Sequence, residues 1–168
     1  MGDAEDIVFY IPRLRRYARS LTGDRTLAED LVQDTLERAW GRLHLWRRGT
    51  NLRAWLFTIM HNLHVNQARS SFGKYRETAE DETLELPVRP MQEEQLELKD
   101  LKETLERLPE GQREVLLLVG LEQMSYEEVA KVLSIPLGTV MSRLSRGRER
   151  LRALMEGRVH TPQLKVVK

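Results

Sequence analysis

Apolar side chains recur every three to four residues along almost the whole of this 168-residue chain, and this spacing constrains its fold more than any other feature. No stretch shows the alternation of apolar and polar residues that a half-buried strand requires. The periodicity fails over residues 77–92, where Pro87 and Pro90 stand among clustered Glu and Asp and indicate a linker. The sequence therefore predicts an all-α protein with two small helical domains, residues 1–76 and 93–168, joined by an acidic linker.

The individual helices follow from the apolar stripes and from the residues that interrupt them. Thr26 with Glu29, and Ser125 with Glu128, each match a capping box and predict a helix start. The predicted helices cover residues 7–21, 27–43, 52 to beyond 69, 93–105, 112–119 and 126–133, and a last long helix reaches about Met155. The tail over residues 159–168 is weakly patterned, and we expect only mobility there.

Composition excludes several classes of protein. The chain has no cysteine, so disulfides, thiolate metal sites and cysteine nucleophiles are excluded together. No apolar run approaches the roughly 18 residues of a membrane span, and residues 1–6 are acidic, unlike the start of a signal peptide. We therefore expect a cytoplasmic protein without membrane insertion.

The net charge of +1 conceals a strong asymmetry along the chain. Residues 1–76 carry a net charge of +5, residues 77–110 carry −8, and residues 111–168 carry +4. Two basic blocks separated by an acidic one indicate contacts with a polyanion, which the net charge alone does not suggest.

Residues 125–146, SYEEVAKVLSIPLGTVMSRLSR, match a helix-turn-helix. A short capped helix is followed by a tight turn and by a longer basic helix, whose Ser142, Arg143 and Arg146 project away from the apolar side. Arginine can bind guanine edges or phosphate, so this face suits DNA. A solvated helical hairpin with surface arginines is the alternative, but the turn chemistry favours DNA binding.

This segment also resembles region four of the bacterial extracytoplasmic-function (ECF) sigma factors. The resemblance rests on LPEGQREVLLLV from Leu108, on SYEEVAKVL and on PLGTVMSRLSRGRERL. In that family the second helix of the motif reads the minus-thirty-five promoter element. The resemblance implies minus-thirty-five contacts by Thr139, Ser142, Arg143 and Arg146. Met141 and Ser145 depart from the family pattern, so the promoter sequence itself does not follow.

The second helix carries an acidic and amide face formed by Asp30, Gln33, Asp34 and Glu37. By itself this face suits either solvent or a basic protein partner. The stretch AEDLVQDTLERAW from Ala28 is similar to region two of the same family, which binds core RNA polymerase. The resemblance implies polymerase contacts by Asp30, Gln33, Asp34 and Arg38, with the clamp helices and the flap of polymerase as partners.

The third helix, LRAWLFTIMHNLHVNQARS, offers amide and cationic groups at His61, Asn62, Asn66 and Arg69, which we expect to be exposed. Such groups suit unpaired bases and phosphates. In the family this segment melts and holds the minus-ten element, so the resemblance implies minus-ten contacts by these four residues. Trp55 has the helical spacing of a core residue.

Metal and catalytic sites are not expected. His61 and His64 lie three residues apart, but the sequence places no carboxylate beside them on that face, which argues against zinc. The chain shows no glycine-rich phosphate loop, no nucleophile elbow and no paired-carboxylate pattern. We therefore expect no metal, no cofactor and no catalytic residue.

Both sets of motifs occur in the family's order, and the resemblance covers roughly residues 7–155. It implies an ECF sigma factor that binds core RNA polymerase and promoter DNA, helps to open the promoter, and is restrained by an anti-sigma factor. The alternative is a stand-alone helix-turn-helix regulator that binds duplex DNA without polymerase. A helical adaptor or enzyme-associated protein is a third class, for which the sequence offers no ligand cluster.

Overall fold

The computed structural model describes the backbone of residues 3–71 and 93–164, and the side chains of residues 5–69 and 97–157. The predicted linker over residues 77–92 lies outside the described residues. The helices are α1 Asp3–Thr22, α2 Arg25–Gly41, α3 Leu52–Ser71, α4 Glu93–Glu106, α5 Glu110–Leu116, α6 Tyr126–Leu133 and α7 Leu137–Leu164. Short helical turns at Leu43–Leu45 and Leu117–Leu121 follow α2 and α5. The prediction of an all-α fold is confirmed, whereas the last helix continues to Leu164 instead of ending near Met155.

In the N-terminal half, residues 3–71, α2 packs against both α1 and α3, and α1 also contacts α3. Tyr17 of α1 meets Phe57 of α3 edge to face, with ring centroids 5.1 Å apart, and both side chains are buried. Trp55 is half-buried and lies 6.5 Å from the ring of Trp46. The apolar stripes predicted from the sequence therefore form the interior of this half.

The C-terminal half, residues 93–164, is organised around the contact between α5 and α7. Val140 and Leu144 are buried and form the inward apolar stripe of α7. Gly147 lies in the same stripe, and a Cβ placed there would be only 3.1 Å from Leu116 Cδ1. The missing side chain at this position lets α5 approach α7 closely.

The two halves pack against each other and share one continuous apolar core. The main contact joins α3 to α6, and α1 also contacts α4 and the helical turn after α5. Arg113 of α5 reinforces this contact by donating a hydrogen bond to the carbonyl oxygen of Leu21. Its other three hydrogen bonds stay within the C-terminal half and reach carbonyls at or just after the end of α4. We call this packing of the two halves the closed arrangement.

The helix caps correct one prediction and confirm part of another. The N-cap of α2 is Asp24, whose Oδ1 accepts from the backbone N–H groups of Thr26 and Leu27, so the predicted capping box is wrong. Glu29 instead forms an ion pair of 2.8 Å with Arg15. Ser125 does cap α6, because its Oγ accepts from the backbone N–H of Glu128 at 3.1 Å.

Among the described residues, no helix combines the length and the hydropathy that a membrane span needs.

Candidate DNA- and protein-binding surfaces

The helix-turn-helix is formed by α6 and the first turns of α7. Ser134 ends α6 in the left-handed conformation, with φ of 54°, and the backbone N–H of Ile135 returns to the carbonyl of Ala130 at 3.0 Å. The carbonyl of Pro136 then accepts from the N–H of Thr139 at 3.0 Å, which starts α7. This tight turn holds the two helices in a fixed relation, so the exposed side of α7 is presented on a rigid support.

The exposed side of α7 carries part of the set predicted to contact the minus-thirty-five element. Ser142 and Arg146 are exposed, and the Ser142 hydroxyl donates to the carbonyl of Thr139 at 3.2 Å. Thr139 and Arg143 are half-buried, and the Arg143 guanidinium lies against Gly111 of α5. Two of the four residues therefore point freely to solvent, and Arg143 would have to leave α5 to reach a base.

The face of α2 predicted to bind polymerase is open along most of its length. Asp30, Gln33 and Arg38 are exposed, whereas Asp34 is half-buried and accepts from Gln67 Nε2 at 2.9 Å. Beside this face lies a shallow groove of about 400 Å³, and Trp40 at its edge is 44% exposed. The structure thus brings three predicted residues together on one side of a helix, next to an apolar surface.

Asn62, Asn66 and Arg69 of α3 are exposed, as predicted for the minus-ten contacts. The expectation that His61 is exposed is wrong: its side chain is only 13% exposed, and its Nδ1 lies 2.9 Å from Glu114 Oε1. The C-terminal half therefore covers one edge of the α3 surface while leaving the other edge open.

A second histidine makes a similar contact between the halves. His64 Nε2 contacts Glu110 Oε1, so both histidines of α3 face the two glutamates of α5. The expectation of no carboxylate beside these histidines is wrong, because the glutamates come from the other half of the chain. Glu110 and Glu114 are four residues apart on one helix, which is the signal that could have pointed to them.

Further polar contacts close the opposite end of the interface. The Arg53 guanidinium donates to Glu128 Oε2 at 3.0 Å and to the carbonyl of Glu122 at 3.0 Å, and Asn51 also reaches Glu128. Arg16 Nη2 lies 3.3 Å from the buried Glu122 carboxylate. Each of these pairs joins a donor of the N-terminal half to an acceptor of the C-terminal half.

Burial perturbs two acids at this interface. Burial raises the pKa of Glu122, and the hydrogen bond and positive charge of Arg16 only partly oppose it. Burial also raises the pKa of Tyr17, and the nearby carboxylates of Glu114, Glu122 and Glu110 add to this increase. In both groups desolvation is the largest cause of the raised pKa, and for Glu122 the charges of Arg16, Arg13 and Arg53 act against it.

Two family models match the chain. A model described as the Sigma2 domain of PhyR matches residues 7–61, and one described as Sigma-70, region 4, matches residues 98–151. The first match covers most of the helices α1 to α3, and the second covers the helix-turn-helix with α4 and α5 before it.

Whole-chain comparisons agree. The chain is 41% identical over 155 residues to the ECF RNA polymerase sigma factor EcfG of Rhodopseudomonas palustris (strain TIE-1), covering 90% of this chain and 83% of that protein. Its structure is similar to that of the sigma factor RpoE of Bartonella quintana, which was solved with the anti-sigma factor NepR. The TM-score is 0.78 and the sequence identity 37%, and the match covers 91% of this chain and 96% of the RpoE chain.

A second solved relative is CnrH in complex with the cytosolic domain of CnrY, with a TM-score of 0.66 and 31% identity over 93% of this chain and 91% of that one. Both family regions are present in order, and the similarity to EcfG extends over nearly the whole chain. The chain therefore belongs to the ECF RNA polymerase sigma factors, which are transcription initiation factors.

Proposed function

We propose that this chain, as an ECF sigma factor, binds core RNA polymerase and holds a promoter at two separate places. The observation that carries the proposal is the exposed polar and basic side of α7, presented on a helix-turn-helix within the segment that matches Sigma-70, region 4. Because the partner of this surface is DNA and no bond is made or broken by it, the chain acts as a binding factor and not as an enzyme. Its place of action is the cytoplasm.

The minus-thirty-five element is read by the start of α7. Ser142 and Arg146 are exposed, and Thr139 stands in the first turn of the helix, where backbone N–H groups and the helix dipole favour phosphate. Arg143 joins them when its guanidinium leaves Gly111. Two arginines and a serine on one face give both phosphate and base contacts.

The N-terminal half supplies polymerase binding and the minus-ten contacts. Asp30, Gln33 and Arg38 are exposed together with Glu37, and the two carboxylates of this face suit a basic partner such as the clamp helices. Asn62, Asn66 and Arg69 lie on a different helix and provide amide and guanidinium donors for unpaired bases. His61 can take part only after the C-terminal half has moved away.

The domain limits proposed from the sequence remain residues 1–76 and 93–168, with residues 77–92 as the connector. Promoter binding at two elements requires the halves to separate, whereas in the closed arrangement they are held by hydrogen bonds and ion pairs. The structural relatives with TM-scores of 0.78 and 0.66 were both solved with anti-sigma factors. This supports a model in which an anti-sigma factor restrains the chain in a compact form.

The test is transcription from genomic DNA by purified core polymerase with and without the chain, followed by mapping of RNA 5′ ends. Promoter-specific starts that depend on the chain are expected. Arg146→Ala should lower transcription by about tenfold or more, whereas Arg152→Ala, another exposed arginine of α7, should have little effect. Promoter-specific duplex binding without any polymerase association would instead establish a stand-alone regulator.

Polymerase binding is tested separately by measuring the affinity of the free chain for core polymerase. Asp30→Lys should weaken this affinity, because it reverses a charge on the proposed docking face. Asp6→Lys is the control, since Asp6 is an exposed acid on α1. Equal affinities for the two variants would move the polymerase contact to another surface.

A further inference from the structure

The histidines of α3 and the glutamates of α5 form a compact cluster at the interface between the halves. His64 Nε2 contacts Glu110 Oε1, and one ligand atom from each of His64, Glu110 and Glu114 lies within 4.8 Å of the other two. We propose that these three residues bind a divalent first-row transition-metal ion, for which Zn²⁺ is the probe. The site does not depend on the proposed function, because it belongs to the free chain.

The donor set fits such an ion. Imidazole nitrogen with carboxylate oxygen is typical of zinc and its neighbours, whereas calcium and magnesium prefer oxygen alone. Ligand atoms about 2.0–2.2 Å from the metal are about 3.4 Å apart in a tetrahedral site. Glutamate has three rotatable side-chain bonds, so small rotations of Glu110 and Glu114 bring the ligand atoms from their present separation to this value.

His61 completes the site as a positioning residue. Its Nδ1 lies 2.9 Å from Glu114 Oε1, so a proton on Nδ1 is donated to that carboxylate and holds its orientation. Glu114 is buried, and a second carboxylate stands one helical turn away at Glu110. A cation between them offsets the repulsion between the two carboxylates, of which only that of Glu114 is buried.

The ion has a route from solvent. A surface cavity of about 600 Å³ is lined by Val65, Ala68, Arg69, Glu110, Gly111 and Glu114. It leaves room for a water molecule at the fourth coordination position, in addition to the three protein ligands. Arg69 also lines the cavity and opposes cation binding, so the site is expected to bind more weakly than an enclosed structural zinc site.

Metal binding would stabilise the closed arrangement. His64 belongs to the N-terminal half, whereas Glu110 lies 46 residues further along the chain in the C-terminal half. An ion that needs ligands from both halves binds the closed arrangement better than an open one, and therefore shifts the population towards it.

The experiment uses the untagged, full-length, metal-free protein, titrated with Co²⁺ for its visible absorption and with Zn²⁺ in competition with a chromophoric chelator. One ion per chain is expected. Glu110→Gln and His64→Asn should each weaken Zn²⁺ binding by at least about tenfold, while His44→Asn, at an exposed histidine after α2, should leave it unchanged. Glu110 is 52% exposed, so Glu110→Gln is expected to fold, as circular dichroism would verify.

Hydrogen exchange gives a second readout that needs neither polymerase nor DNA. Zn²⁺ should slow amide exchange in α3 and α5 of the wild-type chain and have no such effect in Glu110→Gln. The proposal is overturned if neither Co²⁺ nor Zn²⁺ binds the wild-type chain in these titrations, or if binding and protection persist in both ligand variants. Loss of transcription activity would bear on the proposed function alone.

Discussion

Arg113 offers the sharpest test of how the ends of α1 and α4 are held in place. Its guanidinium is planar and carries five N–H donors, so it can bind several carbonyl oxygens at once. It donates to four carbonyls, at distances of 2.7–3.0 Å: those of Leu21, Leu105, Glu106 and Leu108. Leu21 and Glu106 lie at the ends of α1 and α4, where a helix leaves carbonyls without partners. Leu108 follows α4, and the Leu105 carbonyl also accepts from the backbone N–H of Leu108 at 3.1 Å.

The expected cost of Arg113→Met follows from these four bonds. Methionine keeps most of the apolar stem and removes all of the donors. Three of the bonds are partly buried, and the bond to Glu106 is exposed, so water can replace that one. At roughly 1 kcal/mol for each partly buried bond, the free energy of unfolding should fall by about 3 kcal/mol. For a chain of this size the corresponding fall in Tm is about 6–12 °C.

The assay is urea unfolding followed by circular dichroism, with Tm measured in parallel. Arg107→Met is the matched control, because Arg107 is an exposed arginine six residues earlier, and it should change stability by less than about 0.5 kcal/mol. Arg113→Lys should be intermediate, since an ammonium group cannot span all four carbonyls. If Arg113→Met is as stable as Arg107→Met, the argument that one guanidinium terminates two helices is refuted.

Three further predictions concern packing, ionisation and capping. Gly147→Leu should lower the free energy of unfolding by about 1–3 kcal/mol, because a Cβ at that position would already be 3.1 Å from Leu116. Urea unfolding measures this loss, with Gly41→Leu as the control, because an added Cβ at Gly41 meets no neighbouring group within 4 Å. Equal losses of stability in the two variants would contradict the prediction. Because the pKa of Glu122 is raised, the folded state binds a proton on this carboxyl more tightly than the unfolded state does. Protonation of Glu122 therefore adds stability that is absent at neutral pH and grows as the pH falls through the raised pKa. Glu122→Gln should therefore gain most stability relative to wild type at neutral pH, and this difference should narrow as the pH falls towards 4.5, the ordinary pKa of glutamate. A difference in Tm between the two proteins that stays constant over this pH range would contradict the prediction. Asp24→Ala should lower the free energy of unfolding by about 1 kcal/mol, because Asp24 Oδ1 accepts from two backbone N–H groups of α2. Thr26→Ala should lower it clearly less. A larger loss for Thr26→Ala than for Asp24→Ala would identify Thr26 as the N-cap instead.

Most of the fold could be predicted because helix formation is governed by neighbouring residues. The bounds predicted for α3 and α6 agree closely with the structure, since their apolar stripes and flanking polar residues lie within one short stretch of chain. The predicted N-cap of α2 was wrong because Asp24 and Thr26 are both good capping residues. The choice between them depends on the path of the backbone through the preceding turn at Gly23.

The candidate surfaces divide in the same way. The acidic side of α2 and the basic side of α7 follow from spacing along single helices, and Asp30, Gln33, Glu37 and Arg146 are exposed as that spacing predicts. Arg38, which only the family resemblance assigned, is exposed as well. Asp34 and Arg143 were placed on the same faces, but each is partly covered by a neighbouring helix, through Gln67 and Gly111. Periodicity describes the face of one helix and contains no information about which other helix covers it.

The sequence by itself determined that the chain is helical, that it contains a helix-turn-helix, and which faces of α2 and α7 are polar. Only the tertiary structure decided that His61 and His64 meet Glu114 and Glu110, and that Arg53 meets Glu128. These partners are 46 to 75 residues apart in the chain, and they come together only because the two halves bury a common apolar core. The closed arrangement, and any metal site within it, therefore depends on long-range packing that no local pattern encodes.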